Sequence, residues 1–430
     1  MATFYIFILT QTLSLIGSRM TGVVIGIKIF VDTGDTAPLL IAAFFAEVPQ
    51  TFASGFMGIL ADRFNRRYVI MLGDLGQAIG TTLLLISFGS GQFQLWHLYI
   101  AMLVQGLFAT VQGPASQATI TMLVPENQRD RANGVRQIGF PLAGIIAPVL
   151  AGVLYTLIDV TGVMLIDLAT FVVAMIVVAL IALPPHPQND ETEEAMRLSW
   201  REMLAGWRFL WGRRALFLLT VYISFIYFLI NGPLELATPY LIAITGSKAL
   251  LGVLLGALNL GAFLGAASIA VIGNVGNRVR VILAAFLLHG VMLIGWGIAR
   301  DPLLIGVISI LLMFPLAVVG ALFATILQNK TPSHLQGRVF GVTDQMGVML
   351  TPLSFLITAG LVDQVLEPAA AQVGDGMSLL MIGVGGIIIA LTLIVFLQPG
   401  VRQLEQNLPT YGMNTLNDSE ATAPARNPPD

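Results

Sequence analysis

Long apolar runs separated by short polar turns recur along the whole chain, and their length carries more information than their period. A helix needs about 20 mostly apolar residues to cross a bilayer core. Roughly twelve segments meet that length: 4–30, 38–60, 68–88, 95–123, 134–157, 161–183, 215–242, 249–272, 279–299, 302–328, 338–362 and 376–397. They are too long for barrel strands and lack period-2 alternation. The pattern therefore predicts an all-α membrane protein. The first run follows no basic segment and precedes no small-residue cleavage site. It continues through Gly26 to Phe30, the length of a first membrane helix and not of a cleaved signal.

The polar turns set the expected orientation and organisation. Most of the 21 Lys and Arg fall in alternate turns, among them Arg63, Arg66, Arg67, Arg129, Arg131, Arg213, Arg214, Arg278, Arg280 and Arg338. The other turns carry Asp32, Asp35, Asp159, Asp301, Asp363, Glu367 and Asp375. Basic loops stay in the cytoplasm, so both termini are expected there, in a bacterial-type cell membrane. The longest connection divides the chain into an N-terminal six-helix bundle (1–183), a cytoplasmic linker (184–214), a C-terminal bundle (215–398) and a disordered cytoplasmic tail (399–430). The linker opens on prolines and an acidic run. A capping box then forms at Ser199 and Glu202, and Trp200, Met203, Leu204, Trp207 and Trp211 follow along one face, the signature of an interfacial amphipathic helix. The halves also repeat. Val124-Pro125, Arg131 and Gly134 match Thr331-Pro332, Arg338 and Gly341 at an offset of 207, and Arg66-Arg67 matches Asn277-Arg278 at 211. Two six-helix bundles related by a parallel repeat imply a transporter with its cavity between them.

Composition narrows the chemistry. The chain is 56% hydrophobic and 10% charged, with a mean hydropathy of +0.84, so lipid must be the solvent for much of its surface. A net charge of −3 offers no basic excess for nucleic acid, and the absence of cysteine removes disulfides and thiolate chemistry. The four histidines are scattered without metal-ligand spacing; no metal or other cofactor is expected, and His289 reads as a packed core residue. An enzyme would need clustered nucleophile, base or metal ligands, and a sensor a folded soluble domain; the sequence offers neither.

The stretch Gly58-Ile59-Leu60-Ala61-Asp62-Arg63-Phe64-Asn65-Arg66-Arg67 resembles the signature loop of the major facilitator superfamily. The resemblance extends over about residues 4–400, helix count and repeat included. It implies the major facilitator fold, with Gly58, Asp62, Arg63, Arg66 and Arg67 forming a cytoplasmic gate that Asp74, Arg131, Arg338 and Asp344 extend. In the second half the matching turn has lost the aspartate. The fifth segment carries Gly144-Ile145-Ile146-Ala147-Pro148-Val149-Leu150-Ala151-Gly152, similar to the superfamily's exporter motif with alanine for glycine at Ala147 and Ala151. Tight packing of small residues without any transport direction accounts for that motif equally well. Leu15 to Thr21, Phe45 to Pro49, and Val124-Pro125 through Gly134 resemble the macrolide-efflux and siderophore-export branch. That resemblance implies a monomeric, non-enzymatic secondary exporter of amphipathic small molecules, coupled to protons. Proton-coupled relatives often carry an arginine where this chain has Met102.

Charges inside spans cost about 2.5–3.5 kcal/mol each and mark function by default. If the first acidic turn centres near residue 34, Arg19 and Glu47 lie at matched depths of roughly 20 Å on antiparallel helices. A buried ion pair or a titrating Glu47 both fit. Glu235, after Asn231-Gly232-Pro233, and Asn259 occupy the corresponding region of the second half, and Gln105, Gln112 and Gln137 are further candidates for the cavity wall. The expected function is proton-coupled export by alternating access. A siderophore or lysophospholipid transporter of the same fold is the alternative, and a membrane sensor or enzyme the alternative of another class.

Overall fold

The computed structural model describes residues 2–124, 129–181, 205–273, 275–332, 335–370, 372, 374–409 and 411, with no account of the side chains at 2, 53–63, 114, 117, 118, 120–122, 129–138, 140 and 337. Among the described residues every regular element is helical. The first half holds α1 (Ala2–Thr33), α2 (Ala37–Arg63), α3 (Arg66–Gly89), α4 (Leu95–Leu123) and α5 (Arg129–Leu180). The second holds α6 (Arg214–Glu235), α7 (Ala237–Thr245), α8 (Lys248–Ile272), α9 (Arg278–Ile298), α10 (Pro302–Lys330), α11 (Gln336–Val348), α12 (Thr351–Leu361) and α13 (Asp375–Phe396).

Ten of the described helices are long and apolar enough to span a membrane, and α2 contributes a shorter apolar stretch, Ala37–Phe52. One of the ten, Pro141–Leu180, is 40 residues long, about twice what a crossing needs. It folds back at Asp159, whose φ of 57° and ψ of −178° interrupt the helix. Each expected segment therefore falls on a helix, on one arm of a bent helix, or on a helix pair. Leu9, Ile86, Leu157, Leu180 and Val271 stand exposed on the perimeter, as suits a surface facing lipid.

The internal repeat is structural. Helices α4 and α10 are both 29 residues long at the offset of 207, and each ends on an extended residue: Val124 (φ −116°, ψ 126°) and Thr331 (φ −121°, ψ 128°). Asn65 caps α3 by accepting from the Arg67 amide, and Asn277 caps α9 by accepting from Arg280. Within each half the packing partners correspond: α2 on α4 matches α8 on α10, and α3 on α4 matches α9 on α10. Close crossings use glycine. A Cβ on Gly106 would strike the Ala46 carbonyl, one on Gly76 the Phe108 ring, and one on Gly261 the Ile310 carbonyl.

Two expectations change at the ends of the bundles. The linker reading falls mostly outside the described residues, since 182–204 are not covered. The part that is covered, 205–211, is helical, with Phe209 and Leu210 buried, Trp207 half-buried and Trp211 exposed. The expectation of disorder from 399 onwards is corrected over its first residues. Short helices α14 (Pro399–Arg402) and α15 (Leu404–Asn407) bury Val401 and Leu404. Glu405 pairs with Arg278 at 2.9 Å, and Lys330 Nζ donates to the Glu405 and Leu408 carbonyls. Two apolar anchors and an acidic side chain facing basic helix ends give this segment a docking surface that its polar composition concealed.

Gly106→Val should destabilise the protein by about 1–3 kcal/mol through overpacking against rigid backbone. Gly113→Ala, where a Cβ meets nothing within 4 Å, should be neutral or slightly stabilising. Thermal unfolding in detergent measures both, and equal melting of the two variants would contradict the packing argument.

Candidate functional site

The two halves meet along symmetry-related seams, α5 against α8 and α2 against α12. The end of the bundle bearing Asp32, Asp159, Asp301 and Asp363 is its acidic end; Arg66, Arg67, Arg213 and Arg278 mark the basic end. Small residues close the α5–α8 seam towards the acidic end. A Cβ on Gly152 would meet the Lys248 carbonyl, and one on Gly252 would strike the Pro148 carbonyl. The exporter-like motif thus lies along a contact between halves, with Ala147 and Ala151 fully buried. The Lys248 ammonium sits 3.9 Å from the centre of the Tyr155 ring across this seam. On the α2–α12 side Asp363, just past α12, caps α2. Its Oδ1 accepts from the Thr36 amide at 3.1 Å and the Thr36 hydroxyl at 2.7 Å, and its Oδ2 accepts from the Ala37 amide at 2.5 Å. Carboxylates suit the positive N-terminus of a helix. Gln345 Nε2 donates to the Thr51 carbonyl at 2.9 Å, a further bond between the halves.

Between the halves lies a cavity of about 520 Å³. Its wall is mostly apolar, with contributions such as Val23, Ala43, Met102, Leu255, Met313 and Phe355, and its polar members are Arg19, Glu47, Glu235, Thr238 and Asn259. This size and lining suit a drug-sized organic molecule. Four of the eight residues singled out in the sequence as cavity or coupling groups therefore converge on one space.

Local breaks in the helices aim these side chains. Pro239 supplies no amide hydrogen for the Glu235 carbonyl four residues before it, so the helix gives way at Leu236 (φ −75°, ψ 0°) between α6 and α7. The break presents Glu235 to the cavity: the side chain is exposed in area although it lies deep in the protein, because the surface it meets is the cavity wall. Gly144 on α5 admits the two neighbours beside it, since a Cβ there would collide with Asn259 Oδ1 and come within 2.7 Å of an Arg19 guanidinium nitrogen. Arg19 is thus next to Asn259, and Glu47 lines the same cavity. Glu235 and Glu47 line that cavity together. One carboxylate comes from each half.

The other candidates fall elsewhere. Gln105 donates to the Thr81 hydroxyl at 3.2 Å, and Gln112 donates to Asp74 Oδ1 at 2.6 Å while accepting from Gln77 at 2.5 Å. Asn231 donates to Thr351 at 2.9 Å, holding α6 to α12. None of these three lines the cavity. Asp74 is buried among glutamines of the first half, whereas Asp344 is exposed. In the signature loop Arg67 donates to the Ile181 carbonyl at 2.6 Å and anchors the end of α5. The side chains of Gly58, Asp62, Arg63, Arg131 and Gln137 lie outside those described. The Arg338 carbonyl packs where a Cβ on Gly206 would be, so the helical segment 205–211 rests on the start of α11.

Sequence reasoning missed Thr238, on the cavity wall, and Asp167, a fully buried carboxylate on the second arm of α5. The signal was present: Asp167 is the one ionised residue type within the 161–183 run.

Residues 7–354 match the family model of the Major Facilitator Superfamily. Macrolide efflux protein A of Streptococcus pyogenes is 27% identical over 380 residues, covering 84% of this chain and 90% of that protein. Enterobactin exporter EntS of Escherichia coli O127:H6 is 26% identical over 391 residues, covering 87% and 89%. Among solved structures, the nucleoside transporter NupG superposes with a TM-score of 0.75 at 12% identity, over 92% of this chain and 99% of that one. The internal repeat, the bundle of membrane helices and the cavity between the halves have one common source: the chain belongs to the major facilitator superfamily, a family of transporters and not of enzymes.

Proposed function

We propose that the protein exports amphipathic small molecules in exchange for protons, by alternating access across a cell membrane with both termini in the cytoplasm. The observation that carries this reading is the meeting of Arg19, Glu47, Glu235 and Asn259 on one largely apolar cavity between the halves. Two carboxylates on one largely apolar cavity do not both carry charge cheaply. A proton relieves the repulsion, and so does a cationic or polarised group on a cargo. The two therefore compete for one site, which is the thermodynamic requirement of an antiporter. The relatives' names, macrolide efflux protein and enterobactin exporter, support outward transport of bulky organic molecules. Two carboxylates against one guanidinium favour a neutral or basic amphiphile over an anionic siderophore.

In this orientation the basic end faces the cytoplasm and the acidic end faces outside, with its seams closed by the glycine contacts and the Asp363 cap. Opening outward must break that cap and part α5 from α8. Such contacts are individually small, as an element that opens in every cycle requires: a helix cap is worth about 0.5–2 kcal/mol.

Glu47→Gln should abolish cargo-driven proton flux in vesicles while cargo binding persists, and Glu235→Gln should reduce that flux. Unchanged flux in Glu47→Gln would end its coupling role. Asp363→Ala should shift the balance towards the outward-open state by about twofold to thirtyfold. Since the chain has no cysteine, spin labels at Val31→Cys and Leu303→Cys report that opening directly as a longer distance, and an unaltered distance distribution would count against the cap as a gate. A membrane-impermeant maleimide on intact cells should label Leu303→Cys and spare Trp211→Cys. The opposite pattern would reverse the orientation.

A further inference from the structure

The two halves carry their charges unequally at the basic end. In the first half Asp62 stands in the sequence among Arg63, Arg66 and Arg67. At the offset of 211 Asp62 falls on Gly273 and Arg67 on Arg278, and the turn Gly273-Asn274-Val275-Gly276-Asn277 contains no acid. Backbone geometry accounts for the loss. Helix α2 continues to Arg63, but α8 stops at Ile272 and Gly273 takes φ 71° and ψ −89°. A Cβ there would meet nothing within 4 Å, so conformation and not space reserves the position for glycine. Arg278 nevertheless remains, with only 19% of its side chain exposed. A cation so far withdrawn from water needs a counter-charge.

The C-terminal strap that begins at Pro399 supplies it. Glu405 Oε1 accepts from the Arg278 guanidinium at 2.9 Å and Oε2 from the Val279 amide at 3.3 Å. The carboxylate therefore sits on the N-terminus of α9, where the helix dipole favours an anion. The rest of the strap places this one side chain. Val401 and Leu404 pack into the main apolar core. Lys330 Nζ, at the end of α10, holds the carbonyl of Glu405 itself at 2.8 Å and that of Leu408 at 2.7 Å. The Tyr411 amide donates to the Asn329 carbonyl at 2.8 Å, and its hydroxyl accepts from Arg213 at 3.1 Å.

We infer that Glu405 is a positioning residue for alternating access: by neutralising Arg278 it lets the basic ends of the two halves come together when the cavity opens at the acidic end. Closing the basic end brings Arg213, Arg278 and Arg280 of the second half towards Arg66 and Arg67 of the first, and each uncompensated cation adds to the repulsion between them. The first half carries an acid within its own loop, and the second borrows one from the strap. The inference rests on the alternating-access part of the reading above and on neither the cargo nor the coupling ion.

The test places a thiol on the cavity wall, as Thr238→Cys in the full-length, otherwise cysteine-free chain. A membrane-impermeant maleimide is applied to intact cells and, separately, to inverted vesicles. Its rate of reaction from each side reads the population open at that end. Glu405→Gln, which keeps the side-chain shape, should slow labelling from the acidic end by about threefold to tenfold, with labelling from the basic end unchanged or faster. Adding Arg278→Gln removes the unbalanced cation and should restore the rate to within about twofold. A clamp that merely fastens the strap predicts the opposite, since the double variant lacks both partners and labels no faster than Glu405→Gln. Arg278→Gln alone should label from the acidic end at the wild-type rate or faster, and it decides the matter if Glu405→Gln does not fold. An unchanged rate in Glu405→Gln, a double variant that does not recover, or slowed labelling in Arg278→Gln would overturn the charge-balancing role while leaving alternating access intact. Labelling of Thr238→Cys from one side only, in every variant, would overturn alternating access and this inference with it.

Discussion

Hydrocarbon offers a backbone amide or carbonyl nothing to bond with, and every other feature of this protein follows from that constraint. Each crossing must be helical because only a helix satisfies its own backbone. Irregular backbone is then confined to places where protein, cavity or water replaces lipid. Asp159 breaks α5 at the acidic end, between two crossings. Leu236 breaks α6 from α7 beside the cavity, where the Ser354 hydroxyl accepts from the Gly232 amide at 2.9 Å and donates to the Phe228 carbonyl at 2.6 Å. The interruption that would be costly against lipid is bonded within the protein, and it is what turns Glu235 inwards.

With lipid as apolar as leucine, helix association rests on close packing and not on the hydrophobic effect. This explains why glycine marks the strong crossings and the weak ones alike. Gly106 against the Ala46 carbonyl lies inside one half, and Gly252 against the Pro148 carbonyl lies between halves. The difference is what surrounds them. Within a half, crossings are reinforced by buried polar bonds such as Gln112 to Asp74 and Thr81 to Asp167. Across the α5–α8 seam the contacts are mostly van der Waals, with one cation–π pair at Lys248 and Tyr155. Halves that keep their own shape while parting from each other are the mechanical basis of rigid-body alternating access.

Much of this was legible in the chain because the signals are coarse or rare. Run length gave the crossings, and the offset of 207 between Val124-Pro125 and Thr331-Pro332 reappears as two helices of equal length with like-shaped ends. Arg19, Glu47 and Glu235 stood out because few charges interrupt the apolar runs. Amides were harder to place: Gln105, Gln112 and Asn231 bond equally well to a cavity or to a neighbouring helix, and rotation about the helix axis decides which. The matched depths of Arg19 and Glu47 brought both to one cavity, but axial position does not fix azimuth, and the neighbour Arg19 shares beside Gly144 is Asn259. Asp167 interrupts its apolar run just as plainly, and what the chain conceals is its partners, hydroxyls from two other helices. The C-terminal segment misled through its prolines, since Val401 and Leu404 are only two apolar anchors in a polar stretch.

Helix α1 joins two polar regions, the cavity and the surroundings of Asp167. An ion or proton drives transport only if its free energy differs between the conformations it couples, so it must act on an element that moves. Arg19 faces the cavity while Ser18 and Thr21 face Asp167, and a helix transmits a shift on one face to the other because its backbone bonds resist shear. The cavity wall is largely apolar, with Met102 and Met313 among its members. Flexible thioether side chains accommodate varied shapes, which is the property that the proposed export of amphiphiles requires of the wall.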